Sequence, residues 1–444
     1  MDGGFVRRVS PLFTAALTSP RTRDARRWLA ERRRRLRSEP HRVHYFHQVD
    51  DPYGALAAQV LPALVERYQI ELVPHLVGPP SDAAAPERTR LEAFSRRDAA
   101  DVAPGYGLAF PAGASAPDPA LAARASALLA SAIGANAFTS AAARASSALW
   151  SGDGLSLAAL EREVGSASAA EVRARTADGD ALRDRLGHYL SAMFHYGGEW
   201  YWGVDRLWHL ERRLQSLGAL RASARAEPIL RRPAPQGCAG GAARQTFALE
   251  FYPSLRSPYT AIAMERTFDL ARRYAIELVL RPVLPMVMRG LPVPRAKQLY
   301  IALDTKREAE DAGVPFGRIC DPVGRPVERA FSLYPWARER DRAAELLASF
   351  NRAAFAEGID TGSDTGLRHV VERAGLPWAQ AQEHLDREGW REELEANRLA
   401  LFELGLWGVP SFCLRDASGA ALYSTWGQDR LFRVEQEIAA RVAP

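Results

Sequence analysis

The chain has 444 residues, 47% of them hydrophobic and 25% charged, which is room for two or three globular domains with cores of their own. Its net charge of +5 is outweighed by nine arginines crowded between Arg21 and Arg37, so the rest is close to neutral and a general nucleic-acid-binding surface is not indicated. Cys238, Cys320 and Cys413 lie far apart with no Cys-x-x-Cys, which excludes a dithiol redox centre and a zinc ribbon. No apolar run reaches the roughly 18 residues of a membrane span.

Residues 1–40 read as a basic helical arm, one amphipathic helix with Trp28 and Leu29 on its apolar side. An arginine cluster of this kind suits an anionic surface, but a solvated helix docked on its own domain is the commoner outcome and the one expected here. A first domain over 41–218 opens with the strand Val43–His47, the helix Ala55–Tyr68 and the strand Ile70–Leu76. The Ala/Ser-rich stretch Pro119–Asp184 predicts an all-helical insertion. An aromatic hairpin over Ser191–Trp202, turning at Gly197-Gly198, and a final helix follow.

Residues 219–244, rich in Arg, Ala, Pro and Gly, form a linker. A second domain over 245–444 repeats the plan. It has a strand Thr246–Tyr252, a helix Tyr259–Tyr274, a strand Ile276–Leu280 and a helical block from Ala296 to Gly405. A hairpin turning at Asp416–Gly419 and a helix from Gln428 to Ala440 close it. The order β-α-β, helical insertion, β-β-α predicts an α/β protein of two tandem thioredoxin-like domains, with parallel crossover strands and antiparallel hairpins.

The repeat is visible in the letters. Trp202-Gly203-Val204-Asp205-Arg206-Leu207 matches Trp426-Gly427-Gln428-Asp429-Arg430-Leu431, and Asp51-Pro52-Tyr53 matches Ser257-Pro258-Tyr259. A shared order with a period of about 206 to 224 residues excludes a solenoid and predicts a tandem duplication. Such a pair could imitate a homodimer of single domains within one chain, and leaves a further oligomer open.

Four places carry candidate chemistry. Ser257 before Pro258 is a good helix N-cap, which needs no function, yet a hydroxyl at a helix N-terminus can also stabilise a thiolate. In Gly408-Val409-Pro410-Ser411-Phe412, a proline opening the third strand would leave the main chain of Val409 free to pair with a peptide-like ligand. Gln428 and Asp429 open the last helix, where a carboxylate can receive an ammonium group and backbone N–H groups can hold a carboxylate. Lys297 could take another carboxylate, although a helical lysine is usually only solvated. His44, His47, His188, His195 and His209 lack i, i+4 pairing on a clear helix and read as structural, so no metal is expected.

Ser257-Pro258-Tyr259, Leu280-Arg281-Pro282, Lys297 with Leu299-Tyr300, Gly408-Val409-Pro410-Ser411-Phe412 and Trp426-Gly427-Gln428-Asp429-Arg430 occur in one order across residues 245–442. Together they resemble the 2-hydroxychromene-2-carboxylate isomerase and kappa-class glutathione transferase family, within the DsbA-like thioredoxin superfamily. The resemblance implies glutathione as cofactor. Ser257 would face its sulfur, Val409 before a cis-Pro410 would pair with its cysteinyl backbone, Gln428 and Asp429 would hold its γ-glutamyl end, and Lys297 would support it. The implied reaction is an isomerisation or transfer on a small electrophilic, aromatic or unsaturated substrate. The first domain resembles the family less. Asp51 replaces the serine and would repel a thiolate, Ala192 replaces Pro410 and should lack its special backbone geometry, and only Asp205 is retained. The alternative is a catalytically inactive thioredoxin-fold binding or scaffold protein. A start without a secretory pattern and the sparse cysteines predict a cytoplasmic protein, and the Ala and Arg usage a bacterial one.

Overall fold

The computed structural model describes residues 3–231, 233 and 247–442. Cys238 and the linker residues 232 and 234–246 lie outside the described residues. The chain is mixed α/β and divides into two compact units, Asp24–Pro233 and a second made of Met1–Arg23 with Ala234–Pro444. Among the described residues no helix is long and apolar enough to cross a membrane.

The N-terminal arm is helical but consists of two helices, α1 (Gly3–Thr18) and α2 (Pro20–Leu36), instead of one. Pro20 sets the break, since proline suits a first helical turn and cannot extend a preceding one. The division has a structural consequence, because α1 clusters with the C-terminal unit. Ile319 N–H donates to Thr14 Oγ1 at 2.8 Å, and the Thr18 hydroxyl donates to the Gly317 carbonyl at 3.2 Å. Gly317 and Gly358 both have positive φ, and a Cβ on either would meet Thr18 Oγ1 at 2.7 Å or Pro11 Cβ at 2.6 Å.

In the N-terminal unit, β1 (His41–His47) is followed by α3 (Pro52–Ala58), α4 (Leu61–Arg67) and β2 (Ile70–Leu76). The single helix expected over Ala55–Tyr68 is thus two, because Pro62 removes a hydrogen bond and restarts the helix in its own first turn. The helical insertion starts earlier than its Ala/Ser-rich part, with α5 (Arg88–Val102), whose polar composition masks a buried face including Phe94, Ala99 and Val102. It continues as α6 (Pro119–Gly134), α7 (Phe138–Trp150), α8 (Gly154–Val164) and α9 (Ala169–Arg185). The unit closes with β3 (Met193–Tyr196), β4 (Glu199–Trp202) and α10 (Gly203–Ser216).

The C-terminal unit has β5 (Ala248–Tyr252), α11 (Pro258–Arg273) and β6 (Glu277–Leu280). Its insertion is α12 (Arg295–Asp311), α13 (Arg325–Arg338), α14 (Ala343–Arg352), α15 (Asp364–Arg373), α16 (Trp378–Ala381) and α17 (Trp390–Glu403). β7 (Ser411–Arg415) and β8 (Ala421–Trp426) form the hairpin. The last helix opens as a tighter 3₁₀ turn over Gln428–Arg430 before α18 (Leu431–Val442).

The two sheets have the orders β2-β1-β3-β4 and β6-β5-β7-β8, with the crossover pair parallel and the other pairs antiparallel in each. Stacked aromatics join the central strands of both, Tyr45 on Phe194 and Phe251 on Phe412. Polar contacts recur as well. Tyr53 donates to Asp98 and Tyr259 to Asp304, each at 2.8 Å, while Tyr68 donates to Glu211 at 3.1 Å and Tyr274 to Glu435 at 3.2 Å. This architecture is consistent with two thioredoxin-like domains.

Candidate functional site

The site in the C-terminal unit is built where the start of α11 meets the loop entering β7. Ser257 is the N-cap of α11, and its Oγ accepts from Thr260 N–H at 3.1 Å. The same hydroxyl donates to the Val409 carbonyl at 3.5 Å. That bond is long and therefore weak, so its proton can be redirected to a better acceptor at small cost. Val409–Pro410 is a cis peptide bond. Val409 is half-buried, and its N–H has no hydrogen-bond partner among the described residues.

The Pro410 carbonyl is taken by Gly427 N–H at 2.9 Å, which ties the β7 entrance to the turn holding Gln428 and Asp429. Gln428 is buried and its side chain is spent inside. It donates to Glu308 Oε2 and accepts from Arg266 Nη1, each at 2.9 Å, so only its main chain can meet a ligand. Asp429 is half-buried beside Arg430, with 3.8 Å from Oδ1 to Nη1, and its carboxylate packs over Gly427. Lys297, on α12, points its ammonium at the Trp407 ring, 6.0 Å from the centroid. Burial lowers its pKa to about 8. Ser257, Val409 and Pro410 are thus brought together directly, Gly427 links them to the Gln428–Asp429 turn, and Lys297 is joined through Trp407.

Sequence reasoning gave no role to four contributors, Trp407, Trp426, Gly408 and Ser254. Trp407 and Trp426 pack with ring centroids 5.2 Å apart, and Gly408 lies flat on the Trp426 indole. Ser254, three residues before the N-cap, is buried with a hydroxyl that has no hydrogen-bond partner among the described residues. Its place in the loop between β5 and α11 was the one available signal. The described cysteines offer no rival chemistry. Cys320 and Cys413 are buried, and burial pushes the Cys413 thiol up to about 11, away from a reactive thiolate.

The corresponding place in the N-terminal unit is satisfied internally. Asp51 caps α3 through Tyr53 N–H at 3.0 Å and receives the Ser191 hydroxyl at 2.6 Å. The Tyr106 hydroxyl donates to Asp205 Oδ1 at 2.7 Å. Ala192 has no cis bond before it, as its replacement of Pro410 led one to expect, but its backbone has a feature of its own. Its φ is +54°, and its carbonyl accepts from Gly203 N–H at 2.7 Å, the same tie that Pro410 makes to Gly427.

Burial pushes the Asp51 carboxyl from the usual 3.8 up to about 6, against the opposing hydrogen bonds from Ser191 and Tyr53. A carboxyl raised on folding favours the protonated folded state, so its contribution is present below pH 4 and lost as pH rises through about 6. Asp51→Asn keeps the cap oxygen and removes the charge. The variant should gain up to about 3 kcal/mol over the parent above that range and little below pH 4. Calorimetric unfolding of both proteins against pH checks this. The difference between them isolates Asp51 from buried His47, whose pKa is lowered to about 4 and whose pH dependence has the opposite sign.

The family model described as a DSBA-like thioredoxin domain matches residues 248–439. No curated protein matches the chain in sequence. Among solved structures, the chain is similar to 2-hydroxychromene-2-carboxylate isomerase, with 23% identity over 44% of this chain and 95% of that one and a TM-score of 0.37. It is also similar to the cytosolic disulfide reductase DsbM from Pseudomonas aeruginosa, with 21% identity over 44% of this chain and all of that one (100%) and a TM-score of 0.33. The C-terminal half of the chain is a DsbA-like thioredoxin domain.

Proposed function

We propose that the C-terminal unit is a glutathione-dependent isomerase or transferase of the 2-hydroxychromene-2-carboxylate isomerase and kappa-class transferase type, acting on a small electrophilic aromatic or unsaturated substrate. The observation that carries this reading is the weakly engaged Ser257 hydroxyl at the N-terminus of α11, facing the cis Val409–Pro410 step. The donor set suits a γ-glutamyl tripeptide. The Val409 main chain would pair with the cysteinyl residue, Asp429 and the Gln428 main chain would hold the α-amino-acid end, and Lys297 would take a carboxylate. Glutathione supplies a sulfur nucleophile, which an isomerase releases again and a transferase leaves on the product. Ser257 and the helix N-terminus favour the charged form of that sulfur.

The two units are read as a tandem duplication and a pseudo-dimer within one chain of a cytoplasmic protein. The recurring Tyr53–Asp98 and Tyr259–Asp304 contacts favour the duplication. In the N-terminal copy the Ser191–Asp51 and Tyr106–Asp205 bonds engage the carboxylates that stand at the places of Ser257 and Asp429, which speaks against glutathione there.

Calorimetric titration with reduced glutathione tests the assignment. One saturable site with a Kd between micromolar and low millimolar is expected, and Asp429→Ala should weaken it about tenfold or more. Absence of binding at about 10 mM with an intact fold would overturn the reading in favour of a binding scaffold. A second check uses S-methylglutathione, which has no thiol to titrate. Because Lys297 is charged below about pH 8 and neutral above it, affinity should fall as pH rises through that value. Lys297→Met should flatten the profile.

A further inference from the structure

α2 is built inside out. Its charged side faces the protein, where Arg27 makes a two-pronged ion pair with Glu199 at 2.7 and 2.8 Å, and Arg34 donates to the Glu39 carbonyl at 2.7 Å and pairs with Glu31. None of its residues is buried. Its large apolar side chains point to solvent instead, Trp28 at 60% exposure, Leu29 at 43% and Leu36 at 76%.

At about 100° per residue, Ala25, Leu29 and Leu36 fall on one line along the exposed face. Arg32 and Trp28 lie on one side of that line, Arg26 and Arg33 on the other. The guanidinium groups of Arg26 and Arg33 have no carboxylate partner among the described residues, and Arg32 stacks over Trp28 with 5.2 Å to the ring centroid. Glu31 is already occupied by Arg34 and Arg35, so the face is left strongly positive around an apolar centre.

We propose that this face of α2 is a docking surface for a membrane rich in anionic phospholipid, with Trp28, Leu29 and Leu36 entering the headgroup layer and Arg26, Arg32 and Arg33 meeting lipid phosphates. The geometry is that of a helix lying in the plane of a bilayer interface, an apolar line flanked by arginines with a tryptophan at its margin. Charge decides against a second copy of the chain, since a two-fold contact on this face would set the arginines against themselves. A nucleic acid would use the arginines but leave Leu29 and Leu36 in water. The surface lies outside the glutathione site and does not depend on it.

The test is cosedimentation of the full chain with vesicles of phosphatidylcholine alone or mixed with phosphatidylglycerol, at low salt. Binding is expected only to the mixed vesicles. It should fall about tenfold in R26E/R32E/R33E and about fivefold in W28S/L29S/L36S. All six side chains are exposed, so both variants should keep the parent circular dichroism and glutathione affinity. Equal binding to neutral vesicles, no binding, or binding unchanged in W28S/L29S/L36S would overturn the proposal. So would a concentration-dependent dimer that the same variant abolishes, which would assign the face to a second copy.

Discussion

Gly408→Ala should be among the most damaging single substitutions in the C-terminal unit. An added Cβ would stand 1.9 Å from Trp426 Cε2 and 2.0 Å from Cζ2. The indole cannot swing aside easily, because Trp426 is paired with Ser411 in the β7–β8 ladder and its ring packs on Trp407. The Gly408 carbonyl is itself held by the Ser411 hydroxyl at 2.7 Å. Relief therefore requires moving the main chain that carries Val409 and Pro410. Overpacking of this kind costs about 3 kcal/mol or more. For a unit of this size that corresponds to a fall of about 6–12 °C in Tm. Glutathione binding should be lost with it. Gly389→Ala is the control, since a Cβ there meets nothing within 4 Å, and its effect should stay within about 1 kcal/mol. A Gly408→Ala protein with unchanged Tm would show that the indole does not cover this loop.

The second large effect concerns Ser257. Alanine at this position removes both the cap to Thr260 N–H and the hydroxyl proton now resting on the Val409 carbonyl. The cap alone accounts for about 1 kcal/mol of stability. On the proposed function, the lost donor should reduce kcat about a hundredfold while glutathione affinity changes little. Ser257→Thr keeps a hydroxyl and should recover part of the rate. A chromogenic aryl halide or chromene carboxylate serves as electrophile. The ultraviolet absorbance of bound thiolate gives a substrate-free measurement, and Ser257→Ala should raise the bound thiol's pKa by about one unit. Unchanged kcat together with an unchanged thiol pKa would remove Ser257 from the chemistry.

The strands and their order along the chain were legible because each rests on local signals, alternation and the turn residues between strands, whereas the meeting of Ser257 with Val409, 152 residues away, was expected from the family resemblance alone. What escaped depends on partners distant in sequence. Gln428 reads as a ligand residue beside Asp429, yet Glu308 and Arg266, from two other helices, claim its amide. The positive φ of Ala192 is invisible because alanine gives no hint of it, whereas Gly427 announces its own. The fate of the basic arm was hidden for a simpler reason. Composition reveals that a helix is rich in arginine, but not that its charged side faces inward.

Thr14 and Thr18 find their partners, Ile319 and Gly317, 305 and 299 residues further along the chain. α1 therefore cannot dock until about 300 further residues have been synthesised. The C-terminal unit matures only once both of its separated segments exist, whereas all of Asp24–Pro233 is synthesised without interruption. A fragment cut at the linker would lack the strap over Gly317 and Gly358. Supplying α1 as a separate peptide should restore the fragment's stability in trans, which makes this protein a natural candidate for fragment complementation.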